Sequence, residues 1–539
     1  MKKKLTALLL SALMLLSLAA CGSSDTEEDE DTAEETEETG DSGETEEAEE
    51  SEEESSSDDE DSHIDIALFT YIEGMDPATD WCGWNLTRCG VGETLVTVNE
   101  DMEIVGQLAD EWEQVDDVTY RFHIRQGVQF SNGTELTAEI VKDSIQRALD
   151  NNTRASDLKI ESIEVEDEYV IFTTTEPYSA FVAQLTEPMT VIVDTTVDTS
   201  NYDEYPICTG PYIIEEYVSE EKIELVANEN YWDGAPSIKS ITVKNIDDDT
   251  KVDGILSGDL DLAQGPSATS LSRVEDNDEV EIITVTGTRE NDFELNCRED
   301  NPLSDVNLRL ALSYAVDREV IAEIAGEGYA SELTTAFPSS VGYDSDSVNG
   351  QSYDLDLALE YLEAAGYSDE DGNGYVEMDG EELVLTISLS SSSNTAISEA
   401  LQDMWGEIGI HIELELLESL SDIRESGDFD IIASPSWQTM NAGDGQKYLM
   451  NRWSEDGSDN YSGYYSEEFE AVLDTLDAAF DTDERIDAFV EAQQILADDC
   501  PAIYLYASDN VTIMSSNLEN VTIFPIDYYL VTNDWTLAE

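Results

Sequence analysis

The chain has 539 residues, of which 125 are Asp or Glu and only 23 are Lys or Arg, so its formal net charge is −102. A surface with this charge repels phosphate backbones and anionic lipid headgroups, which excludes nucleic acid and electrostatic membrane binding as functions. The hydrophobic content of 40% is typical of globular proteins, and the length allows roughly two to four domains with large cores.

The N-terminus has the pattern of an export signal. Three lysines, Lys2 to Lys4, precede an apolar stretch over residues 5–18 that is too short to span a bilayer comfortably. The stretch ends in LAAC at residues 18–21, which resembles the lipobox of bacterial lipoproteins, whose cysteine is diacylated. We therefore expect residues 1–20 to be a signal peptide and Cys21 to anchor the protein to the outer face of the bacterial cell membrane. An ordinary secretory signal with a chance cysteine is the alternative.

The next segment is a charged linker. Residues 22–61 contain only Gly, Ser, Thr, Ala, Asp and Glu. Such a segment cannot bury apolar area and repels itself, so we expect residues 21–61 to be disordered and to lift the rest of the chain off the membrane. A calcium-collecting or binding tail is the alternative.

Strands and helices alternate along the remaining chain. Period-two hydrophobicity predicts strands over residues 63–68 and 120–124. Thr137 has the position of a helix N-cap, and helical spacing predicts further helices over residues 305–326 and 357–365. Because this alternation continues without tandem repeats, the predicted class is α/β with several sheets.

Motifs for catalysis and for transition metals are missing from the sequence. It contains no nucleophile elbow, P-loop, HExxH zinc motif or dinucleotide fingerprint, and no two of its six cysteines have C-x-x-C spacing. We therefore expect a protein that is not an enzyme and requires no cofactor, with a secreted paired-carboxylate hydrolase as the alternative from another class. Cys82 and Cys89 are close enough in sequence to pair, but free thiols are the default expectation.

A series of collinear motifs resembles the extracellular solute-binding proteins that serve peptide and nickel ABC importers. The most specific is FHIRQGVQFSNG at residues 122–133. Further motifs of the family are GETLV (92–96), LADEW (108–112), TGPY (209–212), NENYW (228–232), SGDLDL (257–262), NLRLALSYAVDR (307–318), DFDI (428–431) and AQQIL (492–496). The resemblance covers nearly everything from residue 64 onward.

The resemblance implies a bilobal fold of the periplasmic-binding-protein type, with an extra N-terminal subdomain and crossover strands that join the lobes. The implied parts are lobe I (62–95, 187–285 and 508–539), the extra subdomain (96–186) and lobe II (286–507). Members bind a solute between the lobes, close by hinge motion and deliver it to a membrane permease that a separate ATPase drives. For this chain we expect a monomer that binds short peptides, with a nickel–chelator receptor as the alternative within the family.

Candidate ligand contacts follow from the same resemblance. Peptide binders of the family hold the peptide's amino terminus with an Asp that follows a Trp, and here that segment is WQTMNAGDGQKYL, with Trp437 and Asp444 in these roles. The nickel branch offers an arginine to a chelator's carboxylate, and Arg154 matches that position. Arg88 and Trp84 lie in the first segment that forms the cleft. For each residue, a core or surface role is the alternative.

One acidic loop has the opening of a calcium-binding loop. Residues 369–377 (DEDGNGYVE) place Asp369, Asp371, Asn373 and Glu377 at ligand positions with Gly374 at the sixth place, but Gly380 replaces the closing Glu. A weak structural calcium site and an ordinary Asp/Gly turn are the two interpretations.

Overall fold

The computed structural model describes residues 62–68, 73–343, 345–391, 393–440 and 443–538. The signal peptide, Cys21 and the linker predicted for residues 1–61 lie outside these ranges. Within them, no helix is both long enough and apolar enough to cross a membrane.

The described residues form 22 strands and 13 α-helices. The strands are β1 His63–Ala67, β2 Val96–Val98, β3 Ile104–Gly106, β4 Ala109–Asp116, β5 Thr119–Ile124, β6 Ile160–Glu166, β7 Tyr169–Thr174, β8 Tyr212–Val218, β9 Lys222–Ala227, β10 Ser240–Lys244, β11 Leu262–Gln264, β12 Val280–Leu295, β13 Ala330–Glu332, β14 Glu377–Met378, β15 Glu381–Glu382, β16 Val384–Ser390, β17 His411–Leu417, β18 Ile431–Ala433, β19 Trp437–Gln438, β20 Ala502–Ser515, β21 Leu518–Glu519 and β22 Thr536–Leu537. The helices are α1 Gly83–Arg88, α2 Ala138–Asn151, α3 Phe181–Gln184, α4 Asp248–Ser257, α5 Ala268–Leu271, α6 Val306–Tyr314, α7 Arg318–Gly326, α8 Leu355–Ala364, α9 Thr395–Glu407, α10 Ser421–Ser426, α11 Gln446–Trp453, α12 Glu467–Ala478 and α13 Thr482–Asp499.

Two long antiparallel strands, β12 and β20, join the two halves of the main sheet. The strand order is β17-β16-β18-β12-β20-β11-β1-β10-β9-β8, with β13 added to β20 and β19 added to β12. The β8–β11 side and the β16–β18 side each pack against their own hydrophobic core. The predicted α/β class, bilobal with crossover strands, is therefore confirmed.

The ladder between β12 and β20 is irregular at the junction of the halves. Its register shifts between Thr286 and Glu290, and there Arg289 and Glu290 also pair, on the other edge of β12, with the short strand β19. A shift of this kind bends a strand and re-aims its side chains. The predicted lobe boundaries at 285/286 and 507/508 fall within these two strands, and the division into parts stays a prediction.

A separate antiparallel sheet, β4-β5-β7-β6, lies within the range predicted for the extra subdomain. Helix α2 covers it and buries Val141 and Ile145 against Phe122 and Phe172. The hydroxyl of Thr137 accepts a hydrogen bond from the amide of Ile140 at 3.4 Å, as the sequence predicts for an N-cap.

The helix predicted over residues 305–326 is wrong as a single element, because the chain breaks into α6 and α7. Asp305 accepts from the amide of Asn307, and Asp317 in turn accepts from the amide of Val320. Asp317 therefore starts a new helix, since its carboxylate offers the backbone a capping bond in place of helix continuation. All five cysteines in the described ranges are unpaired, Cys82 and Cys89 included.

Candidate ligand-binding cleft

Asp527 connects three segments of the chain at the junction of the lobes. Its carboxylate accepts from Arg88 of α1 at 3.0 Å, from Arg289 of β12 at 3.3 Å and from Gln438 of β19 at 3.3 Å. Arg88 and Asp527 are almost fully buried. Although burial raises the pKa of Asp527, the guanidinium groups of Arg289 and Arg88 hold it below its ordinary value. Two guanidinium groups thus share one carboxylate at the junction.

Aromatic side chains surround this junction. The ring of Trp84 lies 4.9 Å from that of Tyr528, and the guanidinium of Arg88 lies 5.1 Å from the ring of Trp84. Trp437 pairs through its backbone with Glu290, next to Arg289. These contacts bring Trp84, Arg88 and Trp437, all candidates from the sequence, to one place, while their contact with a ligand stays a prediction.

Several buried donors at this junction lack a hydrogen-bond partner in the structure. They are the indole nitrogens of Trp84 and Trp437, the hydroxyl of Tyr528 and the Nε of Arg289. Buried polar groups in native proteins are paired in about nine cases out of ten, so a concentration of exceptions requires an explanation. The arrangement can donate hydrogen bonds to a ligand with several acceptor atoms.

Next to the junction, one face of β12 carries three buried acids. Tyr448 donates to Glu290 at 2.9 Å, and Arg452 donates to Asp292 at 2.6 Å and to Glu294 at 2.7 Å. Burial, followed by the nearby charge of Asp292, raises the pKa of Glu290 well above its ordinary value. We call Glu290, Asp292 and Glu294 the acidic face of β12.

A serine-rich pocket of about 290 Å³ opens where the parallel strands β16 and β18 end. Its lining includes Ser390, Ser393, Ser419, Ser421, Ser434 and Arg424. The Nε and Nη2 atoms of Arg424 are buried and have no partner in the structure. In α/β sheets the carboxyl ends of parallel strands are the usual place for ligands, and an arginine among hydroxyls suits a carboxylate or phosphate.

Asp444, predicted to receive a peptide's ammonium group, is already paired. Both of its oxygens accept from Arg485, at 2.7 Å and 2.8 Å, and the amide of Gln446 donates to it at 2.8 Å. A ligand's ammonium would therefore have to displace Arg485 from Asp444. The role predicted for Asp444 stays a prediction.

Arg154, predicted to bind a chelator's carboxylate, forms an ion pair with Glu187. Its guanidinium lies 3.3 Å from the ring centre of Trp81, and Trp81 contacts Trp84 at 4.7 Å. Arg154 is thus linked to the junction through two tryptophans. An anionic ligand would compete there with Glu187.

The acidic loop after α8 folds back on its own backbone. Asp369 accepts from the amides of Gly372, Asn373 and Gly374, and Asp371 accepts from the amide of Asn373. Glu377 lies in strand β14 and is nearly buried. Across the described ranges, no three His, Cys, Asp or Glu side chains are grouped to hold a metal ion. The calcium site stays a prediction, and the loop's turn needs no ion to satisfy its amides.

Contacts far from the junction connect the sequence ranges predicted as the extra subdomain and lobe II. Lys447 pairs with Asp157 at 2.5 Å, and the hydroxyl of Ser179 donates to the carbonyl of Leu476 at 2.7 Å. Arg485 donates to the same hydroxyl at 2.5 Å. We call these the rim contacts.

Sequence reasoning missed Arg289, Asp527, the acidic face of β12 and Arg424. In RENDFE at residues 289–294, acids occupy alternate positions, which could have indicated one face of a strand. In a chain with 125 acidic residues that pattern is more typical of a solvated face. Asp527 carries no local signal, because its partners Arg88 and Arg289 are distant in sequence.

Comparison with protein families matches residues 103–460 to the bacterial extracellular solute-binding proteins, family 5. Among curated proteins, the nickel-binding protein NikA of Staphylococcus aureus is 24% identical over 454 residues, which cover 82% of this chain and 88% of NikA. The glutathione-binding protein GsiB of Escherichia coli is 24% identical over 455 residues, covering 80% of this chain and 86% of GsiB.

Solved structures agree with the bilobal fold. The nickel ABC transporter structure from Bacillus halodurans superposes with a TM-score of 0.78 at 29% identity and covers 88% of this chain and 100% of its own. The oligopeptide-binding protein AppA of Bacillus subtilis, in complex with a nonapeptide, gives a TM-score of 0.68 at 21% identity and covers 88% of this chain and 99% of its own.

Proposed function

This chain belongs to the bacterial extracellular solute-binding proteins of family 5, which are binding proteins of ABC importers, and we propose that its cleft captures short peptides. Members of the family work outside the cytoplasm. The proposed route follows from that class: the chain takes up a peptide at the Asp527 junction and presents it to a permease whose ATPase is a separate protein.

The observation that carries the peptide proposal is the set of unpaired donors at the junction. Trp84 on one side and Trp437 and Arg289 on the other present buried N–H groups without partners. A peptide supplies a carbonyl oxygen at every residue, so it can pair several such donors at once. The partner-free guanidinium atoms of Arg424 in the serine-rich pocket suit the peptide's terminal carboxylate.

A nickel–chelate ligand is the second candidate, and the 29% identity to the Bacillus halodurans protein is what favours it. Two observations favour peptides instead. Arg154 is already neutralised by Glu187. In addition, His63, His123 and His411 each lie beside an acid in strands β1, β5 and β17, away from the junction.

Calorimetry with a panel of short peptides and with nickel–histidine tests the proposal. We expect peptides to bind and Trp437→Phe, which keeps the ring but removes the N–H, to weaken binding about five- to tenfold, since one net hydrogen bond contributes about 1 kcal/mol. Trp112→Phe, at an exposed tryptophan of the subdomain sheet, is the matched control and should bind like the parent. Binding of nickel–histidine but of no peptide would reject the proposal in favour of the second candidate.

We also propose that Cys21 carries the lipid anchor, on the basis of the apolar stretch and the LAAC sequence that precede the linker. Tethering would keep the receptor close to its permease and raise its effective concentration there. Cys21→Ala should abolish labelling with a fatty-acid analogue and release the protein from the membrane fraction. Unchanged labelling of this variant would contradict lipidation at Cys21.

A further inference from the structure

The acidic face of β12 has more hydrogen-bond acceptors than the protein satisfies. Glu290, Asp292 and Glu294 are at most 1% exposed, and each has one oxygen paired with Tyr448 or Arg452. The second oxygen of each, Oε2 of Glu290, Oδ1 of Asp292 and Oε1 of Glu294, is buried and has no partner. Three acceptors thus lack donors in one small region.

The same face is also unbalanced in charge. Arg452 pairs with Asp292 and Glu294 and its charge reaches Glu290, and the charge of Arg424 also acts on Glu294, so three carboxylates face two guanidinium groups. Burial raises the pKa values of Glu290 and Glu294, so proton uptake is one way to reduce this charge. A proton on Glu290, however, adds only one donor. An ammonium group brings three N–H donors and a guanidinium five, together with a positive charge, and therefore meets both deficits.

A neighbouring side chain gives independent support. Tyr504 of β20 is 3% exposed, and its hydroxyl lies close to the Tyr448 hydroxyl but has no partner of good hydrogen-bond geometry. The charges of Glu290 and Asp292 act on this hydroxyl more strongly than any other charged groups, which places it beside the acidic face. Its oxygen can accept a hydrogen bond from a donor that the acids also bind.

The acidic face adjoins the proposed ligand site. Glu290 pairs through its backbone with Trp437, and Arg452 lies 4.5 Å from the centre of the Trp437 ring. A ligand that contacts Trp437 therefore lies next to Glu290, the residue opposite Trp437 in the neighbouring strand. The Arg452 guanidinium already makes a cation–π contact with the Trp437 ring, which fixes this ring against the acidic face.

We propose that Glu290, Asp292 and Glu294 form a subsite for a cationic group of the ligand, an ammonium or a guanidinium. This inference rests on the proposed function and narrows it to peptides that present a positive charge at this subsite. The charge can come from a basic side chain or from the peptide's amino terminus. Either source has the same chemistry, and the experiment separates them.

Calorimetry with Ala-Lys-Ala, its side-chain acetylated twin and its N-terminally acetylated twin tests the subsite. We expect the twin that lacks the relevant charge to bind at least about 30-fold more weakly to the parent protein, the range for loss of a buried charged partner. In Glu290→Gln and Asp292→Asn, which keep the side-chain shape, this discrimination should fall to less than about threefold. Glu413→Gln, at an exposed acid of β17, is the matched control and should discriminate like the parent.

Proton release gives a second readout that does not depend on the variants. If the cation replaces a proton on the acidic face, binding measured in buffers of different ionisation enthalpy should release protons with the charged peptide and fewer with its neutral twin. Equal affinities of all three peptides for the parent, without proton release, would overturn the subsite and leave peptide binding intact. Failure of every peptide to bind would overturn both the subsite and the function on which it rests.

Discussion

Glu290 shows how much a single buried carboxyl group can depend on its surroundings. Around it lie the acids Asp292 and Glu294, the guanidinium of Arg452 and the hydroxyls of Tyr448 and Tyr504. Its pKa is raised first by burial and then by Asp292, while Arg452 acts in the opposite direction. Glu290 therefore gains a proton more readily in the folded protein than in the unfolded chain.

Glu290→Gln should change how stability depends on pH. A carboxyl whose folded pKa lies above its unfolded value of about 4.3 gives its full stabilisation below that value and loses it as pH rises through the folded pKa. The parent should therefore lose stability relative to Glu290→Gln as the pH rises from about 4.3, because Gln has no proton to lose. Thermal unfolding of both proteins across this range measures the difference, and parallel curves would contradict it.

Individual residues differ in how far the sequence locates them. Trp84, Arg88 and Trp437 lie at the junction, as the sequence predicts. The prediction was possible because each of them stands in a short local motif. Asp444 and Arg154 are motif positions too, yet Arg485 and Glu187 neutralise them. Partners of that kind come from distant parts of the chain, and no local pattern in the sequence reveals them.

At the scale of elements, local signals predict well what local interactions decide. The strand over residues 120–124 and the N-cap at Thr137 follow from alternation and from a hydroxyl before a helix. The break before α7 depends on the capping bond that Asp317 accepts from the amide of Val320. The apolar periodicity of residues 305–326 continues across this break, so it predicts one helix instead of two. The inward orientation of the acidic face of β12 requires α11, which supplies Arg452 and Tyr448.

The loop between α8 and β14 is the predicted calcium site. If calcium binds there, millimolar calcium should raise the melting temperature slightly, since a ligand of the native state stabilises it by mass action, and Asp371→Ala should remove the response. Asp369→Ala should lower the melting temperature even without calcium, because the carboxylate of Asp369 accepts hydrogen bonds from three backbone amides. Melting curves with calcium and with chelator measure both effects. If the melting curve of the parent is the same with calcium and with chelator, the loop does not bind calcium and is an ordinary Asp/Gly turn.

At the scale of the whole molecule, the rim contacts connect the subdomain to the second half of the chain. Lys447 and Asp157 are partly exposed, so their ion pair should contribute up to about 1 kcal/mol. Ser179 adds a hydrogen bond to Leu476 and receives another from Arg485. Together these bonds favour the arrangement in which the lobes meet.

Lys447→Ala should shift the protein toward a more open form. We expect a larger radius of gyration in small-angle scattering without ligand, and a loss of affinity of at most about fivefold, because only the closure equilibrium changes. Lys142→Ala, at a partly buried lysine of α2, is the control and should leave the radius unchanged. An unchanged radius for Lys447→Ala would show that the ion pair does not influence closure.

The rim contacts involve protein groups alone, so they stabilise the form that contains them whether or not the cleft is occupied. If closing the cleft forms these contacts, they favour an empty closed receptor. Every 1.4 kcal/mol of such bias multiplies the ratio of closed to open empty receptors by about ten. A permease that recognises closure would then meet receptors without cargo, and its ATPase would turn over without transport. The strength of the rim therefore sets a compromise between tight capture of a scarce solute and wasted ATP when the solute is absent.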